Sequence, residues 1–186
     1  MGGRTESNFW TTYDSCGRDT VCGYGPHYGG TWIPFGFFVQ HPIRGMLVFE
    51  PELLYSPKGS GEGSTPVVNL KYLEVPLLIR ITPPRTDSSF TRPFFNVGPG
   101  VGYLLQCALT ENGPFGASCS SPQNSENRRK PWELSSVIGV GLEHRFADGT
   151  LIGVEARFAR SLTNTGTVPG ATTINSATMY LLRWRP

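Results

Sequence analysis

The stretch from Gly45 to Ile81, GMLVFEPELLYSPKGSGEGSTPVVNLKYLEVPLLIRI, reads as two alternating strands whose charged residues share one face. In the first, Leu47, Phe49, Pro51, Leu53 and Tyr55 fall on one side, and Val48, Glu50, Glu52 and Leu54 on the other. In the second, Leu73, Val75, Leu77, Ile79 and Ile81 oppose Leu70, Tyr72, Glu74, Pro76, Leu78 and Arg80. Successive side chains of a strand point to opposite faces, so each strand has one almost wholly apolar face and one that carries charge. A soluble sheet buries the first and wets the second; a membrane barrel does the reverse. These two strands permit either arrangement.

Strand-like runs and turn signals alternate along the rest of the chain without a helical period. Thr31–Gln40 is aromatic-rich and ends at a tight HPIRG turn, and Met46–Tyr55 follows. The segments SPKGSGEGSTP and PPRTDSSFTRP read as connections on either side of Val67–Thr82. In Phe94–Gln106, Phe95, Val97, Val101, Tyr103 and Leu105 oppose Asn96 and a set of glycines. In Trp132–Phe146, Leu134, Ile138, Val140, Leu142 and Phe146 oppose Glu133, Glu143 and Arg145. A turn at Ala147–Gly149 leads into Leu151–Phe158, and Asn175–Arg185 closes the pattern. Seven strands are clear, and Arg4–Thr12 is a weakly alternating candidate for an eighth. HPIRG and ADG are short, whereas the cysteine-bearing loops are long and lie at the opposite end, the asymmetry of an outer-membrane barrel. PPRTDSSFTRP is the exception, rather long for a periplasmic turn. Residues 1–186 read as one domain without linker or repeat.

The charged face decides between the two arrangements. Glu50, Glu52, Glu74, Arg80, Glu133, Glu143, Arg145, Glu155, Arg157 and Arg183 all project opposite the apolar stripe, and Gly98, Gly100, Gly102, Gly139, Gly141 and Gly153 share their face. Small residues make room inside a narrow barrel and have no such purpose on a wet surface. Tyr55, Tyr72, Tyr103, Trp132, Phe146, Phe158 and Trp184, near strand ends, suit interfacial girdles. The expected arrangement is polar inside and apolar outside. Glu50, Glu52, Glu74, Arg80, Glu143, Arg145, Glu155 and Arg157 then form a lumen charge network.

Composition agrees with many turns and strands: 23 Gly and 16 Pro among 186 residues, with 12% aromatics. A net charge of +2 carries no field that points to nucleic acid. No run approaches the roughly 20 apolar residues of a spanning helix, so a membrane location would have to be reached by strands. MGGRTESNFW lacks the pattern of an export signal, which leaves either a cytosolic protein or a chain whose signal has been removed. Cys16 and Cys22 form one close pair and Cys107 and Cys119 another, both in polar, Gly-rich stretches. Two intraloop disulfides are expected ahead of free thiols or a metal site, and disulfides favour an exported protein.

The blocks FEPELLYSPKG, NLKYLEVPLLIR, FFNVGPGVGYLL, IGVGLEHRF and LIGVEARFARSLTN resemble the PorT-like outer-membrane β-barrel family, the small "porin family" barrels of Bacteroidota and related Gram-negative bacteria. The resemblance runs from about Gly36 to Trp184. It implies an all-β, eight-stranded antiparallel up-and-down transmembrane barrel in the bacterial outer membrane, with both termini in the periplasm. It implies little about activity. The chain departs from the family in its weak first strand and in ending RWRP.

Little else in the sequence carries chemistry. His27, His41 and His144 fall on separated segments, so a three-histidine metal site is not expected, and no serine follows His144 on its face. VGPGVG is not followed by the Lys-Ser/Thr of a phosphate loop. Arg128, Arg129 and Lys130 are a short basic run in a loop, solvated or facing lipopolysaccharide phosphates. The expectation is a non-enzymatic outer-membrane barrel without cofactor, its lumen filled by side chains, with a structural or interaction role. Its partners would be outer-membrane lipid, lipopolysaccharide and a protein of the envelope, not nucleic acid. The alternative is a soluble or periplasmic lipocalin-like barrel around an apolar ligand.

Overall fold

The computed structural model describes residues 1–13, 23–28, 33–60, 67–83, 90–110, 117–118, 129–166 and 171–186. In chain order their strands are β1 (Gly2–Tyr13), β2 (Gly23–Tyr28), β3 (Phe35–Phe38), β4 (His41–Arg44), β5 (Leu47–Ser60), β6 (Val67–Ile81), β7 (Thr91–Thr110), β8 (Ala117–Ser118), β9 (Trp132–Arg145), β10 (Leu151–Ser161) and β11 (Ala171–Arg185). Every pairing is antiparallel. The weakly alternating N-terminal segment is a full strand: β1 pairs with β11 from Gly2↔Leu182 to Tyr13↔Ala171 and so closes the sheet on itself. β2, β3 and β4 together make one interrupted stave between β1 and β5, and β8 folds back onto β7 beyond the wall. The wall therefore has eight staves. That pairing joins β1 to β11, whose edges would otherwise have to be satisfied in lipid.

Several boundaries differ from those expected. HPIR is strand β4, paired with β5, and the reversal falls one step later at Gly45, whose φ of 58° is left-handed. β5 runs on through Ser56–Ser60, and β7 begins at Thr91. The ADG turn is as read: Gly149, at φ 95°, donates to the Phe146 carbonyl at 3.1 Å, and Thr150 N–H donates to Asp148 Oδ1 at 3.0 Å. The β4–β5, β6–β7 and β9–β10 connections share one end of the barrel, and the β1–β2, β5–β6, β7–β9 and β10–β11 connections lie at the other. At that far end Asn164 Oδ1 accepts from Gly166 N–H and Thr173 N–H, and Lys130 N–H donates to the Thr165 carbonyl, which stitches two connections together.

The alternation sorts side chains into a lumen and an outer face. Outside, Leu73, Val75, Leu77, Val97, Val101, Ile138, Val140, Ile152 and Val154 are all exposed. Inside, Leu54, Leu78, Val137, Ala177, Met179 and Leu181 form an apolar layer. Tyr55, Leu73, Tyr103 and Trp132 follow one another across β5, β6, β7 and β9 in register, and the Tyr103 and Trp132 rings lie 4.8 Å apart. Tyr72 does not belong to a girdle; it is fully buried in the lumen, as its parity with Glu74 requires. A soluble barrel around an apolar ligand needs these faces exchanged, so the soluble alternative is not favoured.

Candidate functional site in the barrel lumen

Eight charged side chains on six staves converge in the half of the lumen nearer the short turns. Arg157 donates to Glu52 through Nη1 at 2.5 Å and Nη2 at 2.9 Å, and through Nε to Glu155 Oε1 at 2.8 Å. Arg183 reaches Glu50 at 2.8 Å, Glu52 at 3.2 Å and Glu155 at 2.6 Å. Arg80 bridges Glu50, at 3.3 Å, and Glu143, while its Nε donates to Thr82 Oγ1 at 3.2 Å. Arg92 donates to Glu143 at 2.7 Å from the mouth. Asn96 Nδ2 links Glu50 and Glu155 at 3.3 and 3.2 Å, and Gln40 donates to Glu50 at 2.6 Å. Forked guanidinium–carboxylate pairs hold each other in fixed geometry, and each buried charge here has an opposite one in contact, the condition for tolerating it.

The local sequence makes room for this cluster. A Cβ at Gly139 would collide with the Glu155 carboxylate, and one at Gly141 with the Phe94 ring. That ring in turn stacks under the Arg80 guanidinium at 3.7 Å, and Phe38 lies under Arg183 at 4.2 Å. Cation–π contacts add to the ion pairs where water is scarce.

A second, smaller cluster faces the long connections. Lys58 pairs with Glu74 and, at 3.5 Å, with Glu133, and its ammonium lies 4.9 Å from the Tyr72 ring centre. Asn175 Nδ2 donates to Glu133 Oε2 at 3.1 Å. Ser56 Oγ and the Tyr72 hydroxyl are buried here without a hydrogen-bond partner among the described residues, which suits ordered water. Arg129 forms a bridge to Gly166 and stands close enough to Tyr72 to act on it electrostatically. It is therefore not a freely solvated loop residue like the exposed Lys130. Arg128 lies outside the described residues.

Of the network read from the sequence, Glu50, Glu52, Arg80, Glu143, Glu155 and Arg157 meet in the first cluster, and Glu74 is in the second. Arg145 is exposed at the end of β9 and is not part of either cluster; one residue short of the turn, its long side chain reaches water. Arg183, expected only on the charged face, lies at the centre of the first cluster. Lys58 was hidden because SPKGSGEGSTP reads as a loop, though the same alternation continues through Ser56 and Lys58. His144 lies on the outer side near the short turns, 2.8 Å from Thr91 Oγ1. Cys107 is disulfide-bonded, while Cys16, Cys22 and Cys119 lie outside the described residues, as does the expected Cys16–Cys22 pair.

Residues 26–166 match the family model described as the outer membrane protein beta-barrel domain. The chain belongs to that family. Its place is accordingly the bacterial outer membrane, with the apolar outer face in lipid. Among solved structures, the chain is similar to the outer membrane enzyme PagL, at 16% identity and a TM-score of 0.46, covering 96% of this chain and 97% of that one. It is also similar to Ail, the attachment invasion locus protein of Yersinia pestis, at 10% identity and a TM-score of 0.40, covering 96% and 95%. Among curated proteins no match was found.

Proposed function

We propose that this outer-membrane protein is a closed barrel with a structural or interaction role, neither a diffusion pore nor an enzyme. The observation that carries this reading is the chain of ion pairs Arg157–Glu52–Arg183–Glu155, which crosses the lumen above an apolar layer of Leu54, Leu78 and Met179. An eight-stranded wall leaves space for side chains and little more, and a continuous water path would have to break buried, mutually paired charges. Lumen carboxylates engaged by guanidinium groups are poor general bases, since their lone pairs are already directed. The PELLYS and YLEVPLL blocks favour a PorT-like member of the family. On this reading the long connections and Lys130 present the surface that meets lipopolysaccharide or an envelope protein. Planar-bilayer recordings of the purified monomer test the closed lumen. No large, stable conductance is expected, and a steady open channel would overturn the proposal.

A further inference from the structure

The first lumen cluster is not charge-balanced at its mouth. Among the described residues there, Arg80, Arg92, Arg157, Arg183 and Arg185 face Glu50, Glu52, Glu143 and Glu155, so five guanidinium groups meet four carboxylates. The unmatched one is Arg185, whose Nη1 donates at 2.5 Å to Gln40 Oε1, a neutral acceptor. The Gln40 amide is held in that orientation because its nitrogen donates to Glu50. Arg185, Arg92, Arg80, Glu143, Gln40 and Thr82 line a polar cavity of about 280 Å³ at the short-turn end. Arg92 uses one terminal nitrogen on Glu143, is only partly buried and lines the same cavity. Beyond Arg185, the exposed charged residues described on the surrounding rim are Arg44 and Arg145 against Asp148.

We propose that this mouth is a binding site for a phosphate-type oxyanion, held between Arg185 and Arg92 and entering from the periplasmic side. Guanidinium forks match phosphate oxygens in geometry and charge. A positive surplus set in a cavity with low-dielectric walls concentrates anions that water alone would screen. Glu143 does not oppose this, because Arg80 and Arg92 both bind its carboxylate. The phosphate could belong to a phospholipid headgroup or be free in the periplasm; both present the same oxygens. The inference needs only the outer-membrane placement, not the closed lumen: a conducting barrel that binds phosphate would overturn the earlier proposal and leave this one standing.

The test is calorimetric titration of inorganic phosphate into the full, folded chain in a non-ionic detergent at low ionic strength. One saturable site is expected, weakened roughly tenfold or more in Arg185→Gln and in Arg92→Gln, as for loss of a hydrogen bond to a charged group. Arg160→Gln, exposed on β10 far from this mouth, should bind as the parent does. Heat-modifiable gel mobility confirms that each variant is folded. Competition by dihexanoyl-phosphatidylglycerol, below its micelle concentration, would assign the site to lipid headgroups. Phosphate binding without that competition would assign it to soluble phosphate. Absence of saturable binding in the parent, or equal affinity in Arg185→Gln and Arg92→Gln, would overturn the proposal.

Discussion

Arg157 and Glu52, 105 residues apart in sequence, meet in the lumen through two parallel hydrogen bonds of 2.5 and 2.9 Å. The pair ties β10 to β5 across the barrel rather than along the wall. Neighbouring staves are joined by backbone ladders; opposite staves have only such side-chain contacts to fix the cross-section.

Removing Arg157 should therefore be among the most damaging single changes to the lumen. Arg157→Leu leaves Glu52 and Glu155, both buried, with Arg183 as their one shared side-chain cation among the described residues. Loss of one partner from a buried pair costs about 3–5 kcal/mol. Urea unfolding of the barrel in lipid vesicles, followed by gel mobility, should show a correspondingly lower midpoint. The double change Arg157→Leu with Glu52→Leu should cost less than the sum of the two single changes, because the partners are coupled. Strict additivity would mean that the pair contributes nothing.

Gly141 is one of the positions where the lumen has little room. A methyl group there meets both the Phe94 ring and the Val154 carbonyl, and the ring cannot retreat without leaving Arg80. Gly141→Ala should destabilise by about 1–3 kcal/mol, the usual cost of overpacking. Gly102→Ala is the comparison, since its nearest side-chain atom would lie 3.4 Å away. If both changes prove equally mild, the packing around Phe94 is looser than described.

The outer face offers a test of sidedness. Val75 and Val101 are paired across β6 and β7, and both are exposed. Arg at Val75 should cost roughly 2–4 kcal/mol if the site lies near mid-membrane. Spin labels at Val75, Val101 and Val154 should be relaxed by oxygen and shielded from a polar nickel reagent. Labels reached more readily by nickel would place these positions in water and contradict the membrane orientation.

The disulfide of Cys107 should be local. Ala108↔Ser118 and Leu109↔Ala117 pair between β7 and β8, and the same register carried one step further would set Cys119 opposite Cys107. Directly opposed residues of an antiparallel pair lie about 4.5–5.5 Å apart at Cα, within the span that a disulfide bridges. Non-reducing peptide mapping should recover a Cys107–Cys119 peptide, and with it Cys16–Cys22. A Cys16–Cys107 link would refute the local pairing.

Much of this protein was legible in its sequence, because strand alternation has a period of two and needs no knowledge of the partner strand. That period sorted Glu50 and Glu52 from Phe49 and Pro51, assigned Gly139 and Gly141 to the crowded side, and marked the ADG reversal. It also held where it was not followed far enough: Lys58 and Tyr72 obey it, yet a Gly/Ser-rich neighbourhood concealed the one and an aromatic-girdle reading misplaced the other. What the period cannot supply is which charge meets which. Arg157 finds Glu52, and Arg183 finds Glu50, only because β1 pairs with β11 and closure at a particular register sets the heights of opposite staves. Arg145 has the same parity as Glu143 but lies outside both clusters, because depth along the barrel, not parity, decides whether a long cation is enclosed or wet. The faces are local properties of the chain; the pairs, and the unmatched Arg185 at the mouth, exist only once the barrel is closed.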